Sequence, residues 1–268
     1  MGIKYEVLCL TILVLASLIA VAIFVAYHMK VPEEKPAAIV SGKEVYLPYP
    51  KLKGKVSLEK AIARRRSIRK YLNKPLTIEQ LAQILWAAQG ITDVKRSFRA
   101  APSAGATYPL ELYVVIGEKG VLAGENSYLK AGVYKYVVKK HSLILVKEGD
   151  IREDLAKAAL NQEWVLKAPV SIVIVAIYER TTRFYGERGI RYVHIEVGHV
   201  GQNIYLQATA MGLGTVAVGA FYDDAVKNVI GANKEENPLY IMPIGVPEKL
   251  HEITREQLIS YYEANRKG

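Results

Sequence analysis

The sequence predicts a single α+β domain carried behind an apolar N-terminal span, and three observations lead there. From Val56 onward, stretches with apolar residues at helical spacing alternate with short apolar runs of strand length. Val7 to Tyr27 contains no charged residue. The 268 residues are 51% hydrophobic and 23% charged, the balance of a globular chain with room for a full core.

The apolar span comes first. Its only polar side chains are hydroxyls and the thiol of Cys9, and at about 1.5 Å per residue it can cross a hydrocarbon core of about 30 Å. Tyr27, His28 and Lys30 stand at its far end, as interfacial anchors do. The span is longer than the apolar core of a cleaved signal peptide, the alternative, so a retained single-pass transmembrane helix over 6–28 is expected. Lys4 precedes it while Lys30, Lys35 and Lys43 follow, which tilts the main domain toward the cytoplasm. Residues 29–54 carry Pro32, Pro36, Pro48 and Pro50 among charges and read as a linker, leaving 55–268 as the folded domain.

Within that domain Ser57 can cap a helix bearing Leu58, Ala61 and Ile62. Thr77 and Gln80 form a capping box ahead of Leu81, Ile84, Leu85 and Ala88, and Gly90 stops that helix. Leu110 to Ile116 reads as a strand, and Val133 to Val146 as a hairpin around Lys139 and Lys140. Ile151 to Leu166 reads as helix, Val170 to Tyr178 as an almost wholly apolar strand, and Tyr192 to Met211 as a long helix. Strands are expected at Thr215 to Val218 and Leu239 to Val246, and Thr254 can cap a last helix.

Charge and motifs narrow the function. The net charge is +10, yet basic residues are dispersed among acids and no nucleic-acid motif is present. A lone cysteine excludes disulfides and cysteine metal centres. His194 and His199 are five residues apart, about 140° around a helix axis, whereas a zinc-binding pair needs a spacing of four; no metal site is expected. The glycine stretches at 102–109 and 212–220 stand in the wrong order relative to their strands for a nucleotide loop. Arg65, Arg66, Ser67 and Arg69 crowd one helix end. They suit a phosphate, through guanidinium forks and a hydroxyl, or else a solvated helix C-terminus favoured by the macrodipole.

Taken in order, "RRSIRKY", "PSAGATYPLELYVV", "GVYKY", "RYVHIEVGHVGQNIYLQATAMGLGTVAVGAF" and "PIGVP" resemble the nitroreductase superfamily of flavin enzymes, and within it the SagB-type dehydrogenase branch. The resemblance runs from about Val56 to Pro247 and implies a central, mainly antiparallel sheet flanked by helices. It also implies an FMN-dependent oxidoreductase, a homodimer with two interfacial active sites, a small-molecule substrate and NADH or NADPH as a possible electron donor. By position, Arg65, Arg66, Ser67 and Arg69 would hold the FMN phosphate and ribityl chain, with Lys249 adding charge there. Pro102, Ser103, Ala104 and Gly105 would lie against the flavin from the partner subunit, and Val218, Gly219 and Ala220 along its other side. Asn161 or Gln162 would meet the pyrimidine edge. The branch's Lys-Tyr pair before "GERG" becomes Phe184-Tyr185, so Tyr185 remains as the catalytic candidate or is an ordinary loop tyrosine. The base expected for azoline oxidation is missing, since the adjacent Arg183 stays protonated. A membrane-tethered flavin- or ligand-binding module without turnover is the alternative.

Overall fold

The computed structural model describes residues 17–19 and 39–266. By internal contacts the chain falls into two units, 1–36 and 37–268. In the first, only Ser17, Leu18 and Ile19 are described, and they are helical; the rest of the expected anchor over 6–28 lies outside the described residues. Among the described residues, no helix is long and apolar enough to cross a membrane.

In the second unit the strands are β1 (Ile39–Ser41), β2 (Glu44–Tyr46), β3 (Leu76–Thr77), β4 (Ile91–Asp93), β5 (Phe98–Arg99) and β6 (Leu110–Ile116). They continue with β7 (Val121–Leu122), β8 (Gly132–Val137), β9 (Ser142–Glu148), β10 (Val170–Ala176), β11 (Gly214–Thr215) and β12 (Asn237–Gly245). The helices are α1 (Leu58–Arg64), α2 (Ile78–Gln89), α3 (Arg152–Ala158), α4 (Glu163–Lys167), α5 (Glu179–Tyr185), α6 (Arg188–Ala210), α7 (Asp223–Ile230) and α8 (Arg255–Arg266).

Eight strands form one sheet in the order β1-β2-β9-β8-β6-β10-β12-β11, with every neighbouring pair antiparallel. Strand side chains alternate between faces, so β6 and β10 feed two cores. Leu112, Val114, Ile116, Ile172 and Ile174 pack with Leu81, Ile84 and Leu85 of α2 and with Val193, Val200 and Ile204 of α6. Tyr113, Val115, Val173 and Val175 pack on the opposite face with Leu155 of α3, Val165 of α4 and Val226 and Ile230 of α7. A strand buried on both faces has no polar side to show, which is why Val170–Ala176 is apolar throughout except for Ser171.

The caps anticipated from the sequence are formed. Ser57 accepts from the Lys60 amide, and both halves of the Thr77–Gln80 capping box are present. Thr254 and Gln257 make a second box at the start of α8. Three expectations need correction. The stretch 151–166 is two helices, not one, because Leu160 and Asn161 both take φ of 58° and break the chain between α3 and α4. The long helix begins at Arg188, a turn earlier than its apolar pattern. Part of the expected linker is sheet: β1 and β2 form a hairpin about Gly42, at φ 60°, and β2 pairs with β9. Glu44 fastens it by accepting from Ser142 Oγ (2.7 Å) and Lys140 Nζ (3.0 Å), and the Leu47 amide donates to the His141 carbonyl (3.0 Å).

Candidate functional site

The arginine stretch leaves α1 and runs beside β11, where Ser67 bridges Thr215 and the Ile68 amide donates to the Thr215 carbonyl (2.9 Å). This registers the stretch against the segment leading to Gly219 and Ala220. Tyr205, on α6, joins the two: its hydroxyl lies 3.0 Å from Ser67 Oγ and accepts from the Ala217 amide at 2.8 Å. With one lone pair filled by that amide, Tyr205 can donate to Ser67, which keeps Ser67's own proton available for an anion.

The arginines close the rest of a ring. The Arg65 guanidinium stands 5.2 Å from the centroid of the Tyr205 ring, and that of Arg69 stands 5.3 Å from the Trp164 ring, both within cation–π range. Trp164 lies on α4, whose N-cap residue Gln162 donates through Nε2 to the Ala220 carbonyl (2.9 Å). Contacts thus run from Arg65 through Tyr205, Ala217, Ala220, Gln162 and Trp164 to Arg69. Neither Arg65 nor Arg69 has a carboxylate partner among the described residues, whereas the neighbouring Arg64 pairs with Glu252 at 2.7 Å. The amides of Gly219 and Ala220 donate to nothing described, and the buried Trp164 indole N–H has no partner among the described residues.

Other expected residues lie differently. Arg66 donates to the carbonyls of Arg65 (2.6 Å) and Ala63 (3.4 Å) and reaches His251 (2.6 Å), so its fork is turned to the chain's own backbone. The Val218 amide is committed to the Ile241 carbonyl (2.9 Å), a bridge that holds the segment to β12, leaving Gly219 and Ala220 as the free donors. Of the pair before α4, Gln162 joins the ring, while Asn161 is exposed at the helix break. Lys249 is exposed on the loop whose Glu248 amide donates to the Lys70 carbonyl, along the same edge as the arginines. His194 is taken up by the Tyr178 hydroxyl at 2.7 Å.

A second group gathers Pro102 to Tyr108 and Tyr185. The loop is held in unusual backbone conformations, with φ of 58° at Gly105, 53° at Ala106 and 45° at Tyr108. Ser103 Oγ accepts from the Tyr108 amide (2.9 Å), and the Tyr108 carbonyl accepts from Arg180 Nη1 (3.1 Å). Tyr185, the last residue of α5, lays its hydroxyl over Gly105 and its ring edge-on to Tyr192, with centroids 5.1 Å apart. That hydroxyl makes no hydrogen bond among the described residues. Phe184 beside it is exposed, with the Arg183 guanidinium 4.8 Å from its ring. The first group meets α6 at Tyr205 and the second at Tyr192, thirteen residues or roughly 20 Å apart along one helix axis.

The donor set of the first group fits a flat ligand ending in a phosphate. It offers two guanidiniums stacked on aromatic faces, a hydroxyl, a nearby lysine and two backbone amides at residues without bulk. Tyr205 and Trp164 were not anticipated. Their one sequence signal is an aromatic residue with a polar tip in an otherwise apolar or charged helix, which marks a half-buried position and nothing more specific.

The frame of the site is thus an antiparallel sheet between two helical layers, with Arg65 and Arg69 free of carboxylate partners among the described residues along one edge. The nitroreductase family profile matches residues 62–246, and the chain belongs to that family. It is 49% identical over 190 residues to a candidate nitroreductase of Methanocaldococcus jannaschii, covering 71% of this chain and 91% of that one. It is 26% identical over 191 residues to the trifolitoxin operon protein TfxC of Rhizobium leguminosarum bv. trifolii, covering 68% of this chain; it spans about half (53%) of that relative. The crystal structure of a candidate nitroreductase from Ralstonia eutropha JMP134 superposes with a TM-score of 0.66 at 25% identity, covering 80% of this chain and 95% of that one. Family members are oxidoreductases that generally bind FMN and are often homodimers.

Proposed function

We propose that this chain is an FMN-dependent oxidoreductase, tethered to a membrane by its N-terminal span, that acts as a homodimer on a small organic substrate. The observation that carries the reading is the ring of contacts that brings Arg65, Ser67, Arg69, Gln162, Gly219 and Ala220 together while leaving two guanidiniums without carboxylates among the described residues. Arg65, Arg69 and Ser67 would hold the phosphate, with Lys249 adding charge. The Gly219 and Ala220 amides would face the ring where negative charge develops, as preorganised donors. Bound FMN supplies hydride acceptance and donation, with NADH or NADPH as a candidate donor.

The separation of the two groups along α6 supports a site completed across two chains, Pro102–Gly105 coming from the second copy. Tyr185 is then the group placed to donate a proton to substrate. The likeness to TfxC supports the SagB-type branch, while Phe184, apolar and exposed where that branch carries lysine, speaks against azoline oxidation.

The test is the visible spectrum of the full chain purified in detergent. Flavin absorbance, bleached by NADH or NADPH and restored by an acceptor, is expected. A yellow protein that no reductant bleaches would leave a flavin-binding module, and a colourless protein that cannot be reconstituted with FMN would overturn both readings.

A further inference from the structure

Between β2 and α1 the chain reads LPYPKLKGKVS, residues 47–57, and two clasps hold its first half. The Leu47 amide donates to the His141 carbonyl (3.0 Å), and the Pro48 carbonyl lies 3.0 Å from His141 Nε2. A carbonyl can only accept, so Nε2 carries the imidazole proton, and Nδ1 accepts from the Tyr136 hydroxyl at 2.7 Å. At the second clasp the Lys51 amide donates to Gln83 Oε1 (2.8 Å), and the Lys51 carbonyl accepts from Gln83 Nε2 (3.1 Å), on α2. Pro48 and Pro50 stiffen the backbone between the two.

The side chains that this fixed backbone presents are turned outward. Tyr49 is 80% exposed and Leu52 86% exposed. Leu58 and Ile62, one turn apart on α1, are exposed as well. Lys51, Lys53 and Lys55 alternate with Leu52 and Gly54, all of them exposed, and none of the three has a carboxylate partner among the described residues. Between Glu44 and Glu59 the sequence holds no acid. A single exposed leucine needs no explanation, but pinned apolar side chains interleaved with unpaired cations do.

That pattern matches a surface in which phosphates lie above acyl chains. Tyrosine favours such an interface through its apolar body and polar tip, and lysine stems can lie along apolar surface while the ammonium stays among headgroups. The sequence adds a reason to choose lipid over a diffusing acidic partner. Only residues 28–38 separate the apolar span from β1. A tether of that length gives an effective concentration on the order of millimolar at the surface that holds the span.

We propose that residues 49–62 form a docking surface for anionic lipid headgroups, with Lys51, Lys53 and Lys55 against phosphates and Tyr49 and Leu52 seated among the headgroups. The choice of lipid rests on the proposed tether; the outward array of cations and apolar side chains does not.

The test uses the full chain carrying Cys9→Ser and Leu52→Cys, labelled at residue 52 with a solvatochromic dye. It is reconstituted into vesicles of phosphatidylcholine, alone or with phosphatidylglycerol. Emission should shift to the blue only with phosphatidylglycerol, and raised salt should reverse the shift. Each lysine is worth about fivefold in the docked-to-undocked ratio, so Lys51→Gln, Lys53→Gln and Lys55→Gln together should lower it on the order of a hundredfold. Equal emission in the two vesicle types would overturn the proposal, whether polar in both or blue in both because a second copy covers the stretch. Flotation of unlabelled wild type with phosphatidylcholine vesicles in raised salt reads the tether separately. If the tether fails, salt-sensitive flotation with phosphatidylglycerol vesicles that the triple variant loses still supports docking, and flotation absent or unchanged in that variant overturns it.

Discussion

The hydroxyl of Tyr185 occupies the space in front of Gly105: a Cβ at residue 105 would come within 2.6 Å of that oxygen. Gly105 also has φ of 58°, so two independent constraints meet at one position. Gly105→Ala should cost about 1–2 kcal/mol from the backbone alone and should also displace the phenol. Adding Tyr185→Phe removes the colliding atom and should recover the steric part of the loss but not the backbone part. A double-mutant cycle on denaturant midpoints reads this; simple additivity would mean that the two residues do not touch.

Removing the guanidiniums of Arg65 and Arg69 together should weaken FMN binding while leaving the fold intact. Each charge-assisted bond is worth about 1.5–3 kcal/mol, so the loss should exceed tenfold per arginine. Fluorescence titration after exhaustive dialysis measures it. Equal flavin retention in the double alanine variant would return the stretch to a solvated helix end.

Tyr205→Phe keeps the ring under Arg65 but removes the hydroxyl that joins Ser67 to the Ala217 amide. We expect a stability loss of about 1–3 kcal/mol, because the Ala217 amide is left without an acceptor. Flavin affinity should also fall although no charge has changed, and isothermal calorimetry separates these effects.

Glu196 makes stability depend on pH in a defined direction. Its carboxyl rises from an ordinary 4.5 to about 7 on folding, chiefly through burial. Below about pH 4.5 both states hold the proton. Between about 4.5 and 7 the folded state alone holds it, so stability falls as pH rises across that window and is level above it. The total is on the order of 3 kcal/mol. Glu196→Gln should abolish this slope and be the more stable protein at pH 8, which denaturant midpoints of the two proteins at several pH values would read.

The sequence carried the main elements because they rest on local or repeating signals. The Thr77–Gln80 box, the two-faced apolar run at 170–176 and the hairpin about Lys139 and Lys140 are all read from neighbouring residues. What escaped is set by distant partners. The β1–β2 hairpin has three-residue strands flanked by proline and charge, and it is strand only because β9 lies alongside. The break at Leu160 and Asn161 sits inside a helical pattern and positions Gln162 against Ala220, a contact across 58 positions. At the site, the arginine stretch was legible as charge, and the motifs implied the glycine segments. The roles of Tyr205 and Trp164, the inward turn of Arg66 and the committed Val218 amide depend on side-chain directions that spacing does not encode.

The strand order has a consequence for biosynthesis. β10 hydrogen-bonds to β6 on one side and to β12 on the other, and β12 is made last of the described strands. Until residue 245 has left the ribosome, β10 presents an open edge reading VSIVIVA, a run suited to pairing with any stray strand. Its two partner strands lie more than fifty residues before it and after it, so local contacts cannot protect it. Residues 177–245 have to be synthesised before that edge is sealed, and a nascent chain truncated before β12 would be a candidate for aggregation rather than a partly working domain.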